Sequence, residues 1–219
     1  MAYLLCGEKQ AAAVDGGAVP EILQTLQEEG LELKLVLNTH SHSDHTCGNH
    51  LLLEATNARY ISSKGLIQRG SIEVDGRVIT VMHTPGHTGD SVCLRADDFL
   101  LTGDTIFCGK VGRCFSGDME GFYRSIRRID SLPDRTVVCG GHDYVEEYMG
   151  FAAMVEPGNP HIDQYLKRYD RRRVMATLGR EREVDPFLRL EEPSLISFLK
   201  GKRLPARRPI DRFRSLLSL

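Results

Sequence analysis

Apolar residues fall along the chain in short bursts, and their spacing switches between the two-residue period of strands and the three-to-four-residue period of helices. AYLLCG and AAAVDGG, near the start, are turn-bounded apolar runs that read as adjacent strands. VPEILQTLQEEG sets Ile22, Leu23 and Leu26 on one helical face, with Gly30 to close the helix. LELKLVLNTH returns to strand, GNHLLLEAT to helix and ARYISS to strand. SIEVDGRVITVMHTPGH holds further strands, with Asp75-Gly76 as a hairpin signal. A second hairpin is expected in SVCLRADDFLLTGD, turning at Ala96 to Asp98. MEGFYRSIRRIDSLP has helical spacing at Phe122, Ile126 and Ile129 and ends by Pro133, and TVVCGGHDY is a strand leading into a loop. Strands alternating with helices predict a layered α/β build.

From about Glu146 the strand signal disappears and the chain turns helical and basic, through QYLKRYDRRRVM to PIDRFRSLLSL. The expected organisation is therefore an α/β domain over residues 1–145 and a smaller helical unit over 146–219 laid against it. The RYDRRR run reads as a solvated helix face, the usual place for a charge run.

Composition narrows the function classes. A chain of 219 residues with 41% hydrophobic content can bury a substantial core. A net charge of -2 gives no global electrostatic reason to expect nucleic acid. The longest apolar runs are far short of the ~20 residues that span a bilayer, and MAYLLCGEKQ lacks the features of a secretory signal. The expectation is a cytoplasmic protein with no membrane association, and nothing calls for an obligate protein partner. Six cysteines without a C-x-x-C pair read as reduced thiols, Cys47 among them as a small buried filler.

The densest chemistry lies in LVLNTHSHSDHTCGNH, where His40, His42, Asp44 and His45 follow a strand-like run. In extended backbone, residues two apart point to the same side. His40 and His42 can therefore hold one cation while Asp44 and His45, past the bend, serve another. Grouping these side chains without a metal would cost desolvation and leave hydrogen bonds unmet. Three other strand ends supply compatible donors: His87 in TPGHTGDS, Asp104 in LLTGDTIF and His142 in CGGHDY. Imidazole and carboxylate ligands suit two divalent ions, and zinc, iron and manganese all accept these ligand types, so ligand type alone does not choose among them. Such a pair sharing Asp104 would lower the pKa of a bridging water towards ~7, leaving hydroxide as the nucleophile at neutral pH, with Asp44 orienting it. His50, His83 and His161 stand outside this set as ordinary surface or core histidines.

THSHSDH, TPGHTG, TGDTIF and GGHDY, in this order, resemble the metallo-β-lactamase superfamily. GDTIFCGKVGRCFSG resembles the G-D-T-L-F-x-G-G-C-G-R-x-F-E-G segment of glyoxalase II, the hydroxyacylglutathione hydrolases, and FAAMVEPGNP and ATLGREREVDPFLRL resemble that family's helical C-terminal domain. The resemblance implies an αββα sandwich with a small helical C-terminal domain. It implies His40, His42 and His87 on one metal, Asp44, His45 and His142 on the other, and Asp104 bridging. It also implies hydrolysis of a 2-hydroxyacyl thioester of glutathione such as the lactoyl one, with Asp44 and Asp104 at the reaction centre. Arg113, Tyr144 and Arg207 match substrate-binding positions, the arginines because a guanidinium pairs with a carboxylate.

The chain departs from the pattern in places. The usual Lys three residues after Arg207 is Ile210, with Arg208 or Arg212 as candidate replacements; the Cys before Gly112 is Val111 and the Glu before Gly117 is Ser116. Relative to the pattern the chain also starts one strand late. Two rival readings follow: a hydrolase of another thioester, and a mononuclear-iron persulfide dioxygenase, which would need only a facial set of the His40, His87 and Asp104 type.

Overall fold

The computed structural model describes all 219 residues and divides them into two sheets and ten helices. The first sheet has the order β1-β2-β3-β4, from β1 (Tyr3–Cys6), β2 (Gln10–Val14), β3 (Glu32–Leu37) and β4 (Arg59–Ile61). The second has the order β10-β9-β8-β7-β6-β5, from β5 (Ser71–Val74), β6 (Arg77–His83), β7 (Val92–Ala96), β8 (Phe99–Gly103), β9 (Val137–Gly140) and β10 (Ala176–Thr177). AYLLCG and AAAVDGG do pair, antiparallel, with Tyr3 opposite Val14. β2 with β3, β3 with β4, and β8 with β9 run parallel.

The alternation of side chains along the strands generates the layers. Ala12, Val14, Leu35 and Leu37 face Ile79, Val81, Leu94 and Leu101 between the sheets. Their neighbours Ala11, Ala13 and Val36 turn outward onto Val19, Ile22 and Leu26 of α1 (Val19–Glu28) and Leu52 of α3 (Asn49–Ala55), and a register shift between Ala11 and Ala12, where Lys34 is skipped, puts Leu33 on that face too. On the far side, Met82, Cys93, Leu100 and Val138 meet Phe122, Ile126 and Ile129 of α5 (Met119–Asp130). Helix, sheet, sheet, helix is the resulting order.

α6 (Val145–Val155), α8 (Leu178–Val184), α9 (Pro193–Gly201) and α10 (Pro209–Leu217) cover that outer face, and α7 (His161–Arg168) packs on α6 and α8. Phe187, Leu195, Leu199, Phe213 and Leu216 join the α5 cluster, so the helical unit and the second sheet share one core.

Both expected hairpins form. Asp75 (φ 52°) and Gly76 (φ 77°) are both left-handed, the conformation a two-residue turn between twisted strands requires. Asp97 (φ 52°) occupies the turn between β7 and β8. Two elements were not foreseen. α4 (Ser63–Arg69) fills KGLIQRG; Ser62 caps it by accepting from Gly65 N–H at 3.2 Å, and Gly70 ends it at φ 70°. Beyond Glu146 the strand signal does not vanish altogether, because β10 adds two residues to β9. RYDRRR is solvated, but only Arg168 is helical; Arg171 to Arg173 form a turn in which Arg171 pairs with Glu146 at 2.8 Å.

Candidate metal centre

One end of the sandwich gathers the loops that follow five strands: Asp15 after β2, His40 to His45 after β3, His87 after β6, Asp104 after β8 and His142 after β9. Parallel neighbours deliver their C-terminal ends to the same edge, so residues distant in sequence become adjacent there. Ser43–Thr46 then forms a single helical turn, α2, which turns Asp44 and His45 away from the line of His40 and His42.

All seven side chains expected as ligands converge. His40 Nε2 lies 3.0 Å from His42 Nδ1, and His87 Nε2 lies 3.0 Å from the same atom. In a second group His142 Nε2 is 3.2 Å from Asp44 Oδ2, and His45 Nε2 is 3.6 Å from it. Asp104 stands between: its Oδ2 is 3.6 Å from His87 Nε2 and 3.6 Å from His142 Nε2, and its Oδ1 is 3.2 Å from His45 Nε2.

The outward ring nitrogens are already engaged. His87 Nδ1–H donates to the Arg113 carbonyl at 2.9 Å and His45 Nδ1–H donates to Asp15 Oδ2 at 2.8 Å. Thr39 donates its hydroxyl to Asp15 Oδ2 at 2.7 Å, so its oxygen is left to accept from His40 Nδ1–H at 3.1 Å. The Nε2 atoms of His40 and His87 therefore turn bare lone pairs inward, where they face one another around His42. His45 Nε2 and Asp104 Oδ1 are buried without a hydrogen-bond partner. Facing lone pairs and orphaned buried donors and acceptors are costly, and cations in the two groups satisfy them together. The residues fit a binuclear metal site.

Burial holds His40 at about 4, with the charges of His45 and His87 adding to it against Asp104 and Asp15. Burial likewise lowers His87. Both are thus neutral ligands at physiological pH. Burial opposes charge on His45 too, but without a cation beside it the flanking Asp104 and Asp15 carboxylates outweigh burial and push the ring up to about 10; a metal ion held at Nε2 would take the place of that proton. In Asp104 burial is overcome by His45, His142 and His87, and the carboxylate sits below its ordinary value.

Close backbone approach makes this possible. Gly103 (φ 49°) passes so near Thr39 that a Cβ would collide with its side chain, and a Cβ on Gly141 would strike Asp104 Oδ1 and His45.

Asp15 was missed in the sequence. It is 4% exposed and left-handed at φ 51°, and it accepts from Thr39 N–H at 2.8 Å besides Thr39 Oγ1 and His45. The only signal was an Asp before two glycines at the end of a strand, which reads as an ordinary turn. Phe115, 63% exposed, was also missed; its ring lies 5.3 Å from His87 and 5.9 Å from His42.

Of the expected substrate-binding residues, Tyr144 stacks on His142 at 5.4 Å, and Arg113 is exposed on the loop whose carbonyl anchors His87. Arg207 is not joined to the cluster. It is exposed and its side chain makes no hydrogen bond or ion pair, and Pro209 shares a cavity with Tyr123, Arg127 and Asp130 towards the C-terminal half of α5. Arg208 is committed to Asp211 at 2.9 Å, and the buried Arg212 to the Leu190 carbonyl and Glu191, so neither is a free replacement for the Lys expected at Ile210. His50 pairs with Glu54, His161 with Glu183, and His83 contacts the Gly89 carbonyl, all away from the cluster. Cys47 is exposed rather than buried, because it sits at the outer end of the α2 turn with its thiol against the Asp44 carbonyl.

The metallo-beta-lactamase superfamily model matches residues 1–68 and 64–142, and the hydroxyacylglutathione hydrolase C-terminus model matches residues 143–218. A hydroxyacylglutathione hydrolase of Chromohalobacter salexigens is 36% identical over 204 residues, covering 85% of this chain and 80% of that one. Among solved structures, ETHE1 from Myxococcus xanthus is 27% identical with a TM-score of 0.67, over 96% of this chain and 89% of that one. A protein solved in a di-iron-bound form has a TM-score of 0.61 at 24% identity, over 85% of this chain and 94% of that one. No helix is long and apolar enough to cross a membrane.

Proposed function

The chain belongs to the hydroxyacylglutathione hydrolases of the metallo-β-lactamase superfamily, and from that premise we propose that it hydrolyses S-2-hydroxyacylglutathione thioesters, S-D-lactoylglutathione among them, to the 2-hydroxy acid and glutathione. The enzyme is a metal-dependent hydrolase. The observation that carries the reading is the coexistence of a complete second donor group, Asp44, His45 and His142, with a C-terminal unit that matches the hydroxyacylglutathione hydrolases over residues 143–218. A site for one iron needs neither.

His40, His42 and His87 would hold one divalent ion, Asp44, His45 and His142 the other, and Asp104 both. We assign zinc to the pair, iron and manganese being the alternatives for the same ligand types. When bound, the two ions lower the pKa of water and polarise the thioester carbonyl. The protein's share is positional. Asp15, Thr39 and the Arg113 carbonyl fix the tautomers and ring planes of His45, His40 and His87 before substrate arrives. Asp44, on the exposed side of the cluster, is placed to orient the attacking water while it serves as a ligand. Phe115 and Tyr144 flank the opening, and Arg113 offers its guanidinium to a carboxylate of the thiol carrier. The leaving thiolate needs little protonation, so no further acid is required. We place the reaction in the cytoplasm, where the glutathione pool is reduced.

The test is release of free thiol from S-D-lactoylglutathione by purified protein with its metal content assayed in parallel, beside oxygen uptake with glutathione persulfide. Thiol release with about two metals per chain supports the reading. Oxygen uptake with a single iron overturns it.

A further inference from the structure

Lys110 lies on the loop between Asp104 and Arg113, held there by the Ile106 to Val111 bridge and by Phe107 N–H donating to its own carbonyl at 2.8 Å. Its ammonium sits 4.1 Å from the ring centre of Phe151 and 5.4 Å from that of Tyr148. The residue is half-buried, yet the ammonium forms no ion pair and no hydrogen bond. Burial works against its charge, and the Glu147 carboxylate favours it from a distance. A partly desolvated cation held against two aromatic faces without a counter-ion is an anion site awaiting its anion.

Its position relates it to the metal cluster. Tyr144, Tyr148 and Phe151 form one stripe along α6, spaced four and three residues apart. The stripe begins at Tyr144 stacked on His142, continues to Tyr148 at 5.3 Å from Tyr144, and ends beneath Lys110. Phe107 backs it, 5.5 Å from Tyr144 and 5.9 Å from Tyr148. Seven residues of helix span about 10 Å, and three extended residues span about the same. The wall thus runs from the second donor group to a cation over the length of an extended tripeptide.

We propose that Lys110 is a specificity-determining residue that binds one terminal carboxylate of the thiol carrier, with the Tyr144, Tyr148 and Phe151 stripe as the wall the carrier lies along and Arg113 taking the other carboxylate. This rests on the proposed glutathione thioesterase reading. It gives the site a second cation where Ile210 supplies none, and it places that cation at a position where the family segment has Gly.

The measurement is calorimetric binding of S-hexylglutathione, which carries no scissile acyl group, to the metal-loaded wild type, Lys110→Met and Lys110→Arg. Thioesterase kinetics are run on S-D-lactoylglutathione and on the uncharged carrier ester S-lactoyl-N-acetylcysteamine. Met keeps the aliphatic stem over the rings and removes only the charge. Expected are a Kd and a glutathione-ester KM raised about tenfold in Lys110→Met, kcat within twofold, recovery in Lys110→Arg, and no change on the uncharged ester. A Kd and KM in Lys110→Met equal to wild type overturn the assignment even if thiol release is vigorous, as does an equal loss on the uncharged ester. Wild-type binding that depends on Lys110 without thioester cleavage upholds the carboxylate site and overturns the hydrolase reading; no binding by the wild type overturns both.

Discussion

His45 Nδ1–H donates to the Asp15 carboxylate across 2.8 Å, and the same carboxylate oxygen receives the Thr39 hydroxyl that positions His40. One residue thus orients a ligand candidate of each donor group. Asp15→Asn leaves the fold of the turn intact but replaces an acceptor with an amide donor, so the Thr39 hydroxyl and His45 Nδ1 lose a partner. Metal affinity is expected to fall about 10–100-fold, read as faster metal release to a chelator and a matching drop in kcat. Unchanged release would remove Asp15 from the site.

Asp104 is the only carboxylate that reaches both groups, through His87 and His45 as well as His142. Asp104→Ala should therefore lower metal content and abolish hydrolysis together. Full activity with a depleted metal count would sink the shared-ligand assignment, and so would a full count with full activity.

Much of this was legible because strand periodicity and donor chemistry agree. The two-residue period placed Ala12 and Leu35 between the sheets and Ala11 and Val36 against the helices. The same period put His40 and His42 on one side of the chain. Sparse residue types after apolar runs marked His87, Asp104 and His142. Asp15 was illegible because its role depends on Thr39 and His45, which reach it only through the β2 to β3 pairing. β10 is two residues long and owes its existence to β9, not to its own sequence. Arg207 matched by pattern alone, and pattern could not show how α10 sits on α5.

Arg113 has two separable parts. Its carbonyl accepts from His87 and its guanidinium is exposed. Arg113→Ala keeps the first and deletes the second, so KM for a glutathione ester should rise about tenfold, the cost of one charge-assisted contact, with kcat and metal content unchanged. A KM equal to wild type would take the guanidinium out of substrate binding, and a loss of metal would show that the loop, not the charge, had failed.

Asp185 is 0% exposed; its Oδ1 accepts from Phe187 N–H at 2.8 Å and its Oδ2 has no partner. Burial holds this carboxyl well above its ordinary range, with the neighbouring Glu181 adding to the effect. An acid whose pKa is raised on folding binds its proton more tightly in the native state. Its stabilising contribution is therefore complete below the unfolded value and is lost as pH rises through the folded one. Wild-type stability should fall as pH climbs from mildly acid to alkaline. Asp185→Asn keeps the Phe187 contact and removes the titration. It should match wild type near pH 4, within the usual carboxyl range, and exceed it above neutrality by about 2 kcal/mol, or roughly 4–8 °C in Tm. Some fall persists in the variant, because burial also raises Glu181, to about 7. Urea midpoints taken across this range decide the matter: curves that stay parallel for the two proteins would mean that Asp185 is already charged, and stabilised, in the folded enzyme.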